Sequence, residues 1–287
     1  MNANMNDPCI ACKSKYYRVV FNEFGIDIVQ CKCCGHLFST FPGDQNYNGY
    51  FGEQQIESCK QFWWDDAHRD MYADFYRRFI NKKTGTLLDV GCGLGYFVKN
   101  MSVIPCWEVY GCEISRVAVA YARNKLGLKN IYEGKIEEID FGCRTFDIIT
   151  LWDVIEHIPN PYPLLVRIYS LLKQGGMLFL HTPNARIQLP KARMKQLIMR
   201  RNPHAHFLEA KDHMNIYTDK SISAVLGRSG YISVQFLHLK PLQSVAGSRN
   251  ALFVIIKNLW ASLSRIIYVL SKRRINIGNL FVVAYKQ

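Results

Sequence analysis

The chain has 287 residues, 49% of them apolar and 21% charged, a balance that excludes disorder and collagen-like fibre and leaves room for one or two domains. A core of that size needs no disulfides to hold it. Lysine and arginine number 36 against 23 acids, a formal net charge of +13, which points to acidic partners (phosphorylated substrates, nucleic acid or a membrane surface) and does not constrain fold.

Residues 1–42 carry two cysteine pairs, Cys9-x-x-Cys12 and Cys31-x-x-Cys34, separated by 18 residues and flanking β-type alternation in Tyr16–Val20 and Gly25–Val29. That spacing predicts a four-cysteine zinc ribbon, with Gly35 allowing the tight knuckle after the second pair. Cys33 leaves the register of that pair open. Four thiolates close the coordination sphere, so the metal is expected to be structural and to stabilise a β-unit too small to fold alone. Cys92, Cys106, Cys112 and Cys143 lack ligand spacing and are expected to pack in the core. Residues 43–84 form an aromatic-rich helical linker or lid, in which Trp64, Ala67, Met71, Phe75 and Phe79 recur at helical spacing.

From 85 to about 240, short apolar runs alternate with helical stretches, the pattern of an α/β fold with a mostly parallel sheet covered by helices on both faces. Strands are expected at 86–90, 108–112, 130–132, 146–151, 177–181 and 231–237, and helices at about 95–102, 115–126, 161–173 and 218–229. Gly175-Gly176 closes one helix and opens the next strand. A helical insertion at about 241–278, with its helix over 250–271, precedes a last strand at 279–285.

The first strand, Leu87–Val90, runs into Gly91-Cys92-Gly93-Leu94-Gly95 and then a helix, so backbone must approach a ligand closely at the strand's carboxyl end. The glycines are spaced GxGxG, with Tyr96 where a dinucleotide fingerprint would end. Asp89 precedes the loop by two residues; a carboxylate there repels a pyrophosphate and attracts a cation. Glu113 ends the next strand, placed to accept ribose hydroxyls.

These residues resemble the Rossmann-like, class I methyltransferases that use S-adenosylmethionine. The resemblance continues through Phe146–Pro161, which is similar to that family's fourth-strand signature, through Leu171–Gly176 with Thr182-Pro183-Asn184, and through His213–Gly230. It implies a seven-stranded sheet over 85–287 and a cofactor held by Asp89, Gly91, Cys92, Gly93, Gly95, Tyr96, Phe97, Glu113, Ile114, Ile136 and Trp152. Lys135 stands where family members often carry an acid near the adenine.

Asp153, Glu156 and His157 leave the fourth strand beside the expected methyl group. Methyl transfer mainly needs donor and acceptor aligned, and a hydroxyl acceptor also needs a base. His157 is the first candidate base, with His213 a second. The ubiquinone-pathway O-methyltransferases have a similar Glu-x-x-Glu-His arrangement that can hold a divalent metal, which here implies a site at Asp153, Glu156 and His157. Glu156 and His157 could instead cap the following helix. Asn160-Pro161-Tyr162 falls too late to match the run used by amino-methylases of bases.

Two basic or amphipathic stretches remain. Arg186–Arg201 holds six cations and no acid; as a cover for the acceptor pocket it suggests a phosphorylated or lipid-linked acceptor, and as a solvated helix face it suggests nothing. In Leu252–Leu270, the residues Leu252, Ile256, Leu259, Leu263, Ile266 and Leu270 share one face, widened by Phe253, Trp260 and Ile267, with Lys272-Arg273-Arg274 following. Such a stripe is expected to pack on the domain or on another subunit, with peripheral membrane contact through 252–274 as the alternative. No run of 18 uninterrupted apolar residues occurs, so no transmembrane segment is expected. Met1–Cys12 lacks a basic start and an apolar run, and with its free cysteines the chain reads as cytoplasmic.

The expected function is methyl transfer from S-adenosylmethionine to a small-molecule acceptor, a hydroxyl of a sugar or of a phosphorylated or lipid-linked intermediate. The alternatives are an RNA base methyltransferase with a zinc ribbon and a non-catalytic cofactor-binding module.

Overall fold

The structure, a computed structural model, describes residues 8–42, 67–198, 207–242 and 251–287. Trp64, Arg200, Arg201 and most of the 43–84 linker lie outside the described residues. Elements run in chain order as β1 (Tyr17–Glu23), β2 (Ile26–Cys31) and β3 (Leu37–Ser39), then α1 (Arg69–Phe75), which continues into one π-helical turn. The alternating region follows: β4 (Gly85–Val90), α2 (Tyr96–Ser102), β5 (Trp107–Glu113), α3 (Arg116–Asn124), β6 (Ile131–Glu133) and β7 (Phe146–Trp152). Next come α4 (Tyr162–Leu171), β8 (Leu172–Thr182), α5 (Ala185–Ile198), β9 (Asn215–Ile216), α6 (Asp219–Arg228), β10 (Ile232–Leu237), α7 (Ala251–Leu270) and β11 (Leu280–Tyr285).

Seven strands form one sheet in the order β10-β11-β8-β7-β4-β5-β6. β4 to β8 are parallel, and β11 runs antiparallel between β8 and β10. Alternate residues of each strand serve the two faces. Leu88, Ile149, Leu178 and Val282 face α4, α6 and the cysteine unit; Leu87, Ile148, Phe179 and Val283 face α1, α2 and α3. With both faces covered, the strands read as continuous apolar runs. The strand expected at 177–181 begins earlier, at Leu172, because Gly175 (φ +70°) makes an irregularity inside β8 rather than a helix stop.

The cysteine unit is joined to this framework. Phe24 and Gly25 both have positive φ and make the two-residue β1–β2 hairpin turn. β9, from far downstream, adds to β3 to complete a four-stranded sheet β1-β2-β3-β9. Glu23, buried at the end of β1, accepts from the backbone amides of Phe207 (2.8 Å), Leu208 (3.1 Å) and Ala210 (3.1 Å). His36, fully buried, sits 3.0 Å from Asn215 Oδ1 and 3.4 Å from Ser221 Oγ.

Helix α5 carries the described part of the basic stretch and packs on the small sheet through Ala185, Leu189 and Ala192. Three of its four cations are engaged by the chain itself. Arg186 pairs with Asp219 at 3.1 Å, Arg193 donates to Val20 O at 3.0 Å, and Lys195 lies over the Phe207 ring.

Candidate active site

The parallel strands β4, β5 and β7 deliver their carboxyl ends to one crevice. Gly91, Gly93 and Gly95 all have positive φ, and a methyl on Gly91 would come within 2.6 Å of Val154 Cγ2. Only glycine permits that path. Asp89 lies between Gly111 and Thr150 in register, and Thr150 Oγ1 donates to Asp89 Oδ1 at 2.6 Å. Burial pushes the Asp89 carboxyl up to about 8, against the Thr150 hydrogen bond and with help from the nearby Glu113 charge. Glu113 closes over the loop: Oε2 accepts from Gly93 N at 2.9 Å and Oε1 from Ser115 N at 2.8 Å. Each oxygen keeps a further lone pair for a ligand hydroxyl.

The other expected cofactor residues divide. Ile114 is exposed at the rim. Tyr96 and Cys92 are buried beside the loop, Tyr96 OH lying 2.8 Å from Tyr121 OH. Ile136 is buried, with Lys135 exposed beside it and 3.9 Å from Glu138. Phe97 turns away from the crevice into an aromatic core with Tyr72, Phe75 and Trp152, so its side chain packs the fold. Trp152 belongs to the same cluster, and its buried Nε1–H has no partner among the described residues.

After β7 the chain turns sharply, with Asp153 in the left-handed region (φ 53°), which aspartate tolerates better than most residues. Asp153 Oδ1 approaches His181 Nδ1 to 2.9 Å. Burial works to raise its pKa, and the charges of His181, His68 and His157 outweigh burial and hold it below the ordinary value. The ligand atoms that gather are those of Glu156, His157 and His213, all within 4.8 Å of one another. The grouping therefore differs from the expected Asp153–Glu156–His157: His213 takes the third place and Asp153 turns to His181, a residue that sequence spacing did not single out. Asn279, from the start of the last strand, holds His181 Nε2 at 3.1 Å.

Each of the two histidines presents one nitrogen to a backbone carbonyl, His157 Nδ1 to Asp212 O (3.0 Å) and His213 Nδ1 to Leu208 O (3.1 Å). Donation there leaves the lone pair on Nε2, the tautomer that a base or a metal ligand requires, although His213 Nε2 also lies 3.4 Å from Glu209 Oε2. Burial lowers both histidine pKa values, and His213 adds to the effect at His157. Glu156 is fully buried; its Oε2 accepts from Thr182 Oγ1 at 2.9 Å, while Oε1 has no partner among the described residues. Burial, then the Asp153 charge, pushes its pKa well up. A carboxylate with a free buried oxygen beside two imidazoles is a donor set that fits a divalent cation.

The methyltransferase-domain family matches residues 63–235, more than half of the sequence. The chain belongs to that family. Among curated relatives, the ubiquinone biosynthesis O-methyltransferase of Glaesserella parasuis serovar 5 (strain SH0165) is 32% identical over 149 residues, covering 46% of this chain and 63% of that protein. The protein of the same name from Neisseria meningitidis serogroup C (strain 053442) is 24% identical over 161 residues, covering 49% and 66%. The matched stretch thus spans less than two thirds of either relative. Among solved structures, Haemonchus contortus phosphoethanolamine N-methyltransferase 2 with S-adenosyl-L-methionine superposes with a TM-score of 0.53 at 16% identity, over 87% of this chain and 62% of that one. The plantazolicin methyltransferase BpumL with SAH gives 0.51 at 16% identity, over 79% and 86%. At those identities the likeness is one of fold, the class I fold of S-adenosylmethionine-dependent methyltransferases.

In this chain the four N-terminal cysteines also converge. Cys9 and Cys34 Sγ are 3.6 Å apart, Cys12 and Cys31 Sγ 3.4 Å, and all four lie within 4.8 Å of one another. Sulfurs about 2.3 Å from a common tetrahedral centre would be separated by roughly 3.8 Å, so the cluster fits an ion. The two pairs end alike: Lys13 (φ 64°) donates to Cys9 O and Gly35 (φ 75°) to Cys31 O. Cys33 points away to Ser14 Oγ and is not one of the four that converge; of the cysteines expected in the core, Cys92 and Cys112 are buried, while Cys106 and Cys143 sit in exposed turns.

Proposed function

We propose that this chain is an S-adenosylmethionine-dependent O-methyltransferase acting on a small-molecule hydroxyl. The observation that carries the reading is the meeting of two chemistries at the ends of neighbouring strands: buried carboxylates, Asp89 and Glu113, around a glycine loop, and the Glu156–His157–His213 cluster beside them. The Asp89 carboxylate meets the positive charge of the donor and Glu113 accepts its ribose hydroxyls. The acceptor oxygen attacks the methyl carbon as the carbon–sulfur bond breaks, the sulfonium leaving as a neutral thioether. His157 takes the acceptor's proton at Nε2, for which its lowered pKa keeps it unprotonated near neutrality. Were a divalent ion bound instead, Glu156, His157 and His213 would hold it, His157 would give its Nε2 lone pair to the metal rather than to the proton, and the ion would lower the pKa of a bound hydroxyl. The ribbon cysteines would hold a structural zinc.

A sugar or phosphorylated acceptor is the narrower form of this proposal. Its support is the net charge of +13, while Arg186, Arg193 and Lys195 already have intramolecular partners. The test is incubation with S-adenosylmethionine and separate panels of phenolic, sugar and sugar-phosphate hydroxyl compounds, read by mass spectrometry for a methylated product and for S-adenosylhomocysteine. A methyl ether is expected; tight donor binding with no product across all panels would make the chain a binding module.

A further inference from the structure

Helix α7 is built inside out for a helix on a globular surface. Ser264 and Tyr268 are its buried residues, with Ala261 and Lys257 half-buried on the same side. The Tyr268 ring lies tilted against the His238 ring at 4.9 Å, and Lys257 Nζ donates to Leu242 O at 3.2 Å. Mostly small and polar residues therefore meet the protein, with Val254 and Ile267 half-buried as well. Ile255, Leu259, Trp260, Leu263, Ile266 and Leu270 point outward, 46% to 78% exposed. A contiguous apolar face of this kind marks an interaction surface.

Charge says what covers it. No acid follows Asp219: the stretch 220–287 carries ten lysines and arginines and no aspartate or glutamate. Arg265 lies beside the apolar face, and Lys272, Arg273 and Arg274 are exposed in the turn that ends the helix. A second copy would set these cations against one another. An apolar face edged by cations, with an interfacial tryptophan, matches instead an anionic lipid surface. No helix among the described residues is long and apolar enough to cross a membrane, which agrees with a helix lying along one.

We propose that α7 and the cationic turn after it dock this protein on an anionic lipid bilayer. The residues next in sequence reach the active-site crevice: Asn184 Nδ2 donates to Asn276 O (3.1 Å) and Gly278 O (2.8 Å), and Asn279 holds His181. Docking would thus seat the bilayer on the segment that leads into the crevice wall.

The test is co-sedimentation of the full chain with phosphatidylcholine vesicles and with vesicles containing phosphatidylglycerol, which reads binding and not turnover. The wild type is expected to bind the anionic vesicles, and added salt to weaken that binding. Replacing Lys272, Arg273 and Arg274 by Gln should lower affinity about fivefold per cation, on the order of 100-fold for all three. Leu259→Gln with Leu263→Gln, at exposed positions that leave the fold intact, should abolish binding to the same vesicles. No binding by the wild type, or equal binding by the wild type and both variants, overturns the proposal. So does a dimer in light scattering that Leu259→Gln/Leu263→Gln converts to monomer, because it assigns the face to a second copy.

Discussion

Asp89→Asn separates what the buried carboxyl does for binding from what it costs the fold. In the folded protein its pKa rises from 3.8 to about 8, chiefly through burial. A carboxyl raised in this way contributes stability that is fully present below the unfolded value and is lost as pH rises through the folded one. Between pH 4 and 8 its contribution should therefore fall by about 1.4 kcal/mol per unit, a loss of about 4 kcal/mol by pH 7. Asparagine keeps an acceptor for Thr150 Oγ1 and does not titrate. Urea unfolding of wild type and variant at pH 5, 6, 7 and 8 should show the variant gaining relative stability with every step. The wild-type carboxyl gives up its proton as the cationic donor binds, so in calorimetric titration at pH 8, where about half of it is already ionised, the variant should bind S-adenosylmethionine at least about tenfold more weakly. A stability difference that stays constant across the pH series, or equal affinity of the two proteins for the donor, would refute the reasoning.

Three further outcomes follow from the same geometry. His157→Ala should abolish turnover while donor affinity in calorimetry stays within about twofold; because burial depresses the pKa of His157 and His213, wild-type turnover should hold level as pH falls from 8 to 6.5 and drop only below that. Cys12→Ser should lose the ribbon's metal, read by elemental analysis, and lower the thermal midpoint of the whole protein in one transition, since Cys9, Ala11 and Cys31 share a core with Leu165 and Tyr217. Glu23→Ala strips the acceptor from three backbone amides and should cost about 3 kcal/mol in chemical denaturation, the order expected for several hydrogen bonds to one buried charge.

What was legible in the sequence follows the range of the forces involved. Strand-to-helix alternation, the glycine loop and the cysteine pairs are set by neighbours within a few residues, and the structure has them within a residue or two of their expected places, apart from the glycine pair inside β8. Contacts closed by the fold were not legible. Nothing near His181 in sequence says that it meets Asp153 and Asn279, and nothing near Leu37 says that it pairs with Ile216. Those two closures reshape the site: one takes Asp153 out of the metal-type cluster, and the other binds the ribbon to the segment that supplies His213.

Helix α7 shows the limit most sharply. Periodicity found its apolar stripe, with Leu259, Leu263 and Ile266 on one face, and the usual inference sends such a stripe inward. Periodicity reports that a helix has two unlike faces; it carries no sign for which one meets the protein. The sign comes from tertiary room. Gly278, whose added methyl would sit 3.2 Å from Ser264 Oγ, brings the backbone close against the helix's small side. A bulky apolar face does not fit that approach, so Ser264 goes in and the leucines go out. The same substitution of small for large that lets α7 lie close to the domain is what leaves its apolar side in need of a partner.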